Sequence, residues 1–437
     1  MKAWLGRLLA GALAVLALLA AGVYWLNVRG EADIHPRTAA GAAPSAGQVA
    51  RGAYIARLGN CMGCHTAVGG LAYAGGRGVE TPFGTVFAPN ITPDGRHGIG
   101  AWSAAEFWRA LHHGRSRDGR LLYPAFPYPD YTHVAREDAD ALYAYLQSLP
   151  AVAQANLPHR LRFPYGTQAA LAVWRALYFR PGDAVAAAPV VPDKGDGPAA
   201  AGQLRERGAY LVRGLGHCAA CHTPRNALGG SRDGQALAGG IIGGQAWYAP
   251  ALGDPGEAGM QHWKIEDIAA LLHAGANQHA GVSGPMAEVV FGSLQYWSAT
   301  DLKATAAYLQ ALPVAEAPRQ PAPQPRRQVM EQGRAVYAEW CASCHGDAGE
   351  GRAPGFPPLA GNRAVLLPHA GNVVQMVLHG GYLPATQGNP RPLGMPPLRQ
   401  SLSLEEVAAV STFIRNSWGN RAAPVDLVLV DQILENR

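Results

Sequence analysis

Three times in 437 residues the chain carries C-x-x-C-H, at Cys61 to His65, Cys218 to His222 and Cys341 to His345. The three motifs use all six cysteines. In such a run two thiols about one helical turn apart each form a thioether to a porphyrin, and the next residue turns beneath the ring to bind iron axially. The spacing therefore assigns Cys61, Cys64, Cys218, Cys221, Cys341 and Cys344 to three covalently bound c-type haems, with His65, His222 and His345 as proximal ligands. A zinc ribbon needs two C-x-x-C pairs close together in sequence, and here each pair stands alone in its own repeat. A redox C-x-x-C has no need of a following histidine three times over. A chain built around three macrocycles suits a composition of only 15% charged residues with 54 glycines and 34 prolines, much of it loop.

Each motif opens a repeat. A short helical pattern runs into it in RGAYIARLGNCMGCH, RGAYLVRGLGHCAACH and QGRAVYAEWCASCH. A second amphipathic helix then ends in RALHHG, ALLHAG or MVLHGG, and a third closes the repeat in DALYAYLQSLP, DLKATAAYLQALP or LEEVAAVSTFIRNSWGN. Ser103 with Glu106, Ser298 with Asp301 and Ser403 with Glu406 have the spacing of helix N-terminal caps, and Gly114 suits a helix stop. No period-two run is long enough for a substantial sheet. Pro/Ala-rich stretches between the repeats read as linkers. The fold class is mostly α: three tandem cytochrome c-type domains after an N-terminal transmembrane helix. The expected boundaries are an anchor or signal over 1–30, a tether over 31–47, domains over 48–180, 203–313 and 329–437, and linkers over 181–202 and 314–328.

Lys2 and Arg7 precede an uninterrupted apolar run from Leu8 to Leu26, long enough to cross a bilayer. The run passes its small residues and ends in Val23, Tyr24, Trp25 and Leu26, which fits a retained anchor with an interfacial belt better than a removed signal. The basic residues keep the N-terminus cytoplasmic and put the bulk of the chain on the periplasmic face of the inner membrane. Net charge is +5, but Lys and Arg are scattered, which excludes a nucleic-acid surface. Gly214 to Ala219 fits the letters of a dinucleotide fingerprint yet lies inside a haem motif with no strand before it. No P-loop, G-x-S-x-G or H-E-x-x-H run is present, so no catalytic residue for organic substrates is assigned.

The repeats also locate the sixth iron ligand. Met286 stands eleven positions after Gly275, and Met395 fourteen after Gly381, each beside proline on a loop that follows the second helix. A thioether opposite histidine favours reduced iron. In the first repeat the matching position, twelve after Gly114, is Phe126. There the ligand is either an imidazole, with His133 or His113 favoured over His97, or absent, with Phe126 packed over the iron. His112 recurs as His273 and His379 and is read as a cation near a helix C-terminus. Met376 reads as core, and Met260 precedes the second helix.

With these residues in view, Gly52 to Asn420 resembles the three-haem cytochrome c subunit of bacterial membrane-bound dehydrogenases for alcohols, aldehydes, gluconate and sorbitol. The stretches that carry the resemblance are TPFGTVFAPNITPD, LYPAFPYPDYT, GHCAACHTPRN, FPPLAGN and IRNSWGN. It implies an electron-transfer subunit that is not itself catalytic. Its partner would be a periplasmic catalytic subunit holding a quinone, flavin or molybdenum cofactor, and its acceptor membrane ubiquinone or a terminal-oxidase route. It supports the three proximal histidines, Met286 and Met395, and expects methionine where Phe126 stands. Trp102 and Trp418 are taken as packing, Pro357 and Pro358 as carbonyl partners of a proximal histidine, and the C-terminal PVDLVLVDQIL as a closing core segment or a contact surface. The alternative class, resting on Phe126 alone, is a haem enzyme or small-ligand sensor with an open first haem.

Overall fold

The computed structural model describes residues 2–31, 43–182, 198–315, 322–352 and 355–435. Most of the expected tether and the middle of both expected linkers therefore lie outside the described residues. Helix α1 (Lys2–Val28) is followed by α2 (Ala46–Leu58), α3 (Cys61–His65), α4 (Ala104–His113), α5 (Tyr128–Tyr131), α6 (Arg136–Gln147) and α7 (Gln168–Tyr178). The second repeat comprises α8 (Pro198–Tyr210), which passes through a π-helical turn over Leu211–Leu215, then α9 (Ala219–His222), α10 (Ile265–Ala274), α11 (Pro285–Gly292) and α12 (Ala299–Gln310). The third comprises α13 (Arg327–Trp340), α14 (Ala342–His345), α15 (Arg363–Leu366), α16 (Gly371–His379), α17 (Leu404–Asn416) and α18 (Leu427–Glu435). Helices α8 and α13 begin at 198 and 327, inside what the sequence suggested were linkers.

Strands are short. Strand β2 (Gly84–Phe87) lies between β1 (Gly78–Thr81) and β3 (Arg160–Leu161), with Gly78 opposite Phe87 and Gly84 opposite Leu161. Two-stranded ladders follow, β4 (Gly240–Ile242) with β5 (Trp247–Ala249) and β6 (Gly381–Tyr382) with β7 (Gly394–Met395), all antiparallel. The predicted caps form: Ser103, Ser298 and Ser403 accept the amides of Glu106, Asp301 and Glu406, and Gly114 ends α4 in the left-handed region.

In every repeat the first helix crosses the closing helix at a glycine. A Cβ at Gly52, Gly208 or Gly333 would overlap the carbonyl of Ala141, Ala304 or Ala409, so only glycine allows backbones this close. One apolar core runs through the first two repeats from Ile55 to Leu309, while the third has its own around Val374, Leu378 and Val410. Val430 and Ile433 are buried in that second core, so α18 closes it. Trp418 packs on Tyr337 and Phe413 at 4.9 and 5.4 Å, in keeping with a packing role. Arg415, fully buried, donates to the carbonyls of Val365, Leu367 and Ala423.

The first two repeats exchange tyrosines. Tyr54 on α2 donates to Asp301 (2.8 Å) and accepts the amide of Ser298 (2.9 Å), the residue that caps α12. Tyr210 on α8 donates to Asp138 (2.6 Å) and accepts the amide of Ala135 (3.2 Å), which caps α6. Each aspartate also takes an arginine from its own repeat, Arg51 to Asp138 and Arg207 to Asp301. Both carboxylates are buried, so each depends on these donors in place of water.

Helix α1 is exposed except at its last turn. There Asn27 donates to the carbonyl of Ala172 and accepts from Arg175, both at 2.9 Å. Arg115 donates to the Asn27 carbonyl (3.0 Å) and to Glu31 (2.9 Å). The apolar helix is thereby fastened to α7 through polar groups.

Tyr54→Phe or Tyr210→Phe should each cost about 1–3 kcal/mol, read by denaturant unfolding, because each leaves a buried carboxylate one donor short. Burial, and then Asp301, push the Tyr54 hydroxyl up from 10.0 to about 12. The stability it adds is therefore complete below pH 10 and should fall as pH rises toward 12, a loss that Tyr54→Phe should lessen.

Candidate functional site

The three C-x-x-C-H motifs each form one turn of helix, α3, α9 and the turn ending α14, and all six thiols are unpaired. In each pair the second thiol is more exposed than the first. Behind each motif the chain repeats one construction. The carbonyl of His65, His222 and His345 accepts the amide of Gly75, Gly239 and Gly351, all at 2.8 Å. These glycines have φ of 79°, 77° and 74°, in the left-handed region. Their hydrogen-only surface lets the following proline loop lie against them, where a Cβ would overlap Pro89–Asn90, Ala251 or Pro357–Pro358.

That loop holds the imidazole. The Nδ1 of His65, His222 and His345 lies 2.7, 2.7 and 3.0 Å from the carbonyls of Pro89, Pro250 and Pro357. Two residues after each proline, Ile91, Leu252 and Leu359 donate to the carbonyls of Tyr73, Leu237 and Gly349, which locks the loop in position. A carbonyl only accepts, so the ring proton is on Nδ1 and the lone pair on Nε2, the tautomer a metal-binding imidazole requires. Sequence reading found this partner for the third motif, Pro357. It missed Pro89 and Pro250, whose signal was the Ala-Pro pair that ends β2 and β5 in the other repeats.

On the opposite side the residues differ. Met286 is half-buried in the first turn of α11, behind Pro285 at the helix start, and Met395 is half-buried on β7, paired with Gly381. Neither is on a loop as the sequence suggested. Phe126, also half-buried, packs on Tyr131 at a centroid distance of 5.5 Å. It borders a cavity of about 1690 Å³ together with Cys61, Cys64 and His65, and Cys221 of the second motif borders the same cavity. Helix α11 packs across α3, with Arg77 paired to Glu288 at 2.6 Å and the Ser293 hydroxyl on the carbonyl of Arg57 at 2.6 Å.

Of the three imidazoles considered for the first site, His97 borders this cavity; His133 and His113, the two favoured, do not. His113 is turned among Arg175, Arg115 and Arg109 beside the last turn of α1, and burial with those charges pushes it down to about 4. His133 lies against Gly182. His112 is not the expected cation: it is buried, stacks on Trp108 at 4.5 Å, and burial lowers its pKa. The helix end it occupies faces protein in place of water, which outweighs the dipole.

This donor set fits a c-type haem at each motif: two thiols on one turn, and an imidazole whose Nδ1 is engaged and whose Nε2 is not. Among the described residues no group of three or more His, Cys, Asp or Glu side chains comes together as a metal site, which leaves the zinc reading without ligands.

Comparison with known proteins agrees. The cytochrome c family profile matches residues 49–150 and 330–418. The cytochrome c subunit of a quinone-dependent alcohol dehydrogenase from Gluconacetobacter polyoxogenes is 39% identical over 86% of this chain and 81% of its own. The gluconate 2-dehydrogenase cytochrome c subunit of Pantoea cypripedii is 37% identical over 86% of both chains. The fructose dehydrogenase cytochrome subunit of Gluconobacter japonicus is 32% identical over 95% of this chain and 87% of its own. With its haem c motifs, its helical repeats and these relatives, the chain belongs to the family of electron-transferring cytochrome c subunits of membrane-bound bacterial dehydrogenases.

Proposed function

We propose that the chain is a membrane-anchored, periplasm-facing triheme cytochrome c. It takes electrons from a partner catalytic subunit with a quinone, flavin or molybdenum cofactor and passes them to membrane ubiquinone or another respiratory acceptor. The observation that carries this reading is the proline-carbonyl construction, repeated without change behind His65, His222 and His345. Bound haem supplies reversible one-electron chemistry at each site. The chain's part is to hold each Nε2 toward the iron, to join the porphyrin through Cys61 and Cys64, Cys218 and Cys221, and Cys341 and Cys344, and to exclude water. Met286 and Met395 are the distal ligands of the second and third sites. The common cavity bordered by Cys64 and Cys221 supports a short path between the first two haems.

Helix α1 stays attached as the anchor. Its last turn, with Glu31 just beyond it, is a working part of the first domain, since removing them would leave the buried Arg175 without Asn27 and Arg115 without Glu31. Next to it α7 turns Val173 and Leu177 outward, and Phe163 beside it is 88% exposed. All three border the cavity. That apolar rim beside the anchor suits an acceptor arriving from the bilayer. The relatives act on alcohol, gluconate and fructose by name at similar identity, so the substrate class follows from the partner and not from this chain.

Extraction of native membranes in mild detergent should bring down a larger subunit with one of those cofactors. Recovery of this chain alone, time after time, would overturn the reading. Intact mass of the mature protein should include residues 1–30; a mature N-terminus beyond Glu31 would refute the retained anchor. Gly75→Ala should displace the Pro89 carbonyl and move the midpoint potential of one haem, measured by spectroelectrochemical titration, while the other two keep theirs.

A further inference from the structure

We propose that the haem on the first motif takes no protein ligand opposite His65, and that this position binds a neutral diatomic molecule such as carbon monoxide or nitric oxide. This rests on the reading that the first motif carries haem c. The residue in the methionine position, Phe126, has no donor atom. Among the described residues no methionine borders the cavity, and its imidazoles besides His65 are His97, His159 and His217.

Two of the three are engaged at the ring, and the third is held at its backbone. His159 accepts the amide of Phe87 at Nδ1 (3.1 Å), so its proton is on Nε2, and it is tied to the strand that leads into Pro89. His217 places Nε2 3.3 Å from the carbonyl of Gly59, which makes that nitrogen a donor, and its ring stands edge-on to Tyr131. His97 belongs to the wall behind His65. One side chain, Asn156, donates to the His97 carbonyl (2.9 Å) and accepts the amide of Asn90 (2.7 Å), and Asn90 follows the proline that holds His65. The His97 amide is fixed on Asp94 (2.6 Å), with its Nδ1 3.3 Å from the same carboxylate. A residue whose amide and carbonyl are both fixed to the wall behind His65 is held on the proximal side.

The surroundings of Phe126 also select the ligand. Its ring neighbour Tyr131 gives its hydroxyl to the Gly59 carbonyl at 3.2 Å. That hydroxyl is therefore not available to stabilise charge on a bound anion or on polarised dioxygen, which favours an uncharged ligand that needs no hydrogen bond.

The test uses full-length detergent-solubilised holoprotein, reduced with dithionite and titrated with carbon monoxide. A pyridine haemochrome assay counts covalent haem in parallel. Three haems and about one carbon monoxide per chain are expected, together with a high-spin ferric signal in electron paramagnetic resonance. Phe126→Met should abolish both the uptake and the high-spin signal, and His97→Ala should leave both unchanged. Three haems with no uptake would overturn this inference and leave the electron-transfer reading intact. Uptake that survives Phe126→Met, or that appears only in His97→Ala, would overturn it too. A count of two, the first motif being empty, would remove the triheme reading and this one together.

Discussion

Two buried aspartates hold the first two haem segments in register. Asp138 and Asp301 each sit in the first turn of a closing helix, bind the arginine of their own repeat, and are completed by a tyrosine from the other. A carboxylate taken out of water is stable only if its donors come with it. Neither repeat can complete its own closing helix, because the hydroxyl that receives the capping amide belongs to its neighbour. The shared apolar core follows from that exchange, as does the packing of α11 across the first motif. In the third repeat the glycine crossing persists at Gly333, but Tyr337 donates to Gly346 within the same segment. That segment is joined to the second by other means, with Asn372 bonded twice to the backbone of Tyr248 and Gln375 to Gln245.

Much of this was legible in the residues. The helix caps and the repeats follow from local patterns, since caps and turns depend on residues three or four apart, whereas the helix that holds Met286 and the strand that holds Met395 were read as loop. What escaped was long-range. The RGAY run is visible twice, yet nothing local says that Arg51 and Tyr54 serve different aspartates. His112 was misread because burial, which sequence does not report, overrides the helix dipole. His113 and His133 were candidates because they are specific to the first repeat, yet His113 is held among arginines, His133 lies against Gly182, and neither borders the cavity. Arg415 lay in a recognised stretch, but two of the three carbonyls it serves, those of Val365 and Leu367, lie some fifty residues away in the chain.

Both ends of the first domain's cavity now have a physical meaning. One side is lined by Cys221 of the second motif, the other by α7, the helix that also holds the last turn of α1. The hydrogen bonds of Asn27 with Ala172, Arg175 and Arg115 fix the last turn of α1 to α7, so the apolar helix leaves the first repeat at a defined angle.

The proximal side of all three sites is made of main chain. The partner of each histidine is a proline carbonyl, and the partner of that histidine's own carbonyl is a glycine amide. Both are backbone groups, so the positions where a side chain can disturb them are the glycines themselves, Gly75, Gly239 and Gly351, where a Cβ would meet the proline loop. Divergence among the three sites is thereby channelled to the matching repeat position, which holds Met286, Met395 or Phe126. A scaffold of this kind can retune one centre over evolutionary time while the other two keep their settings.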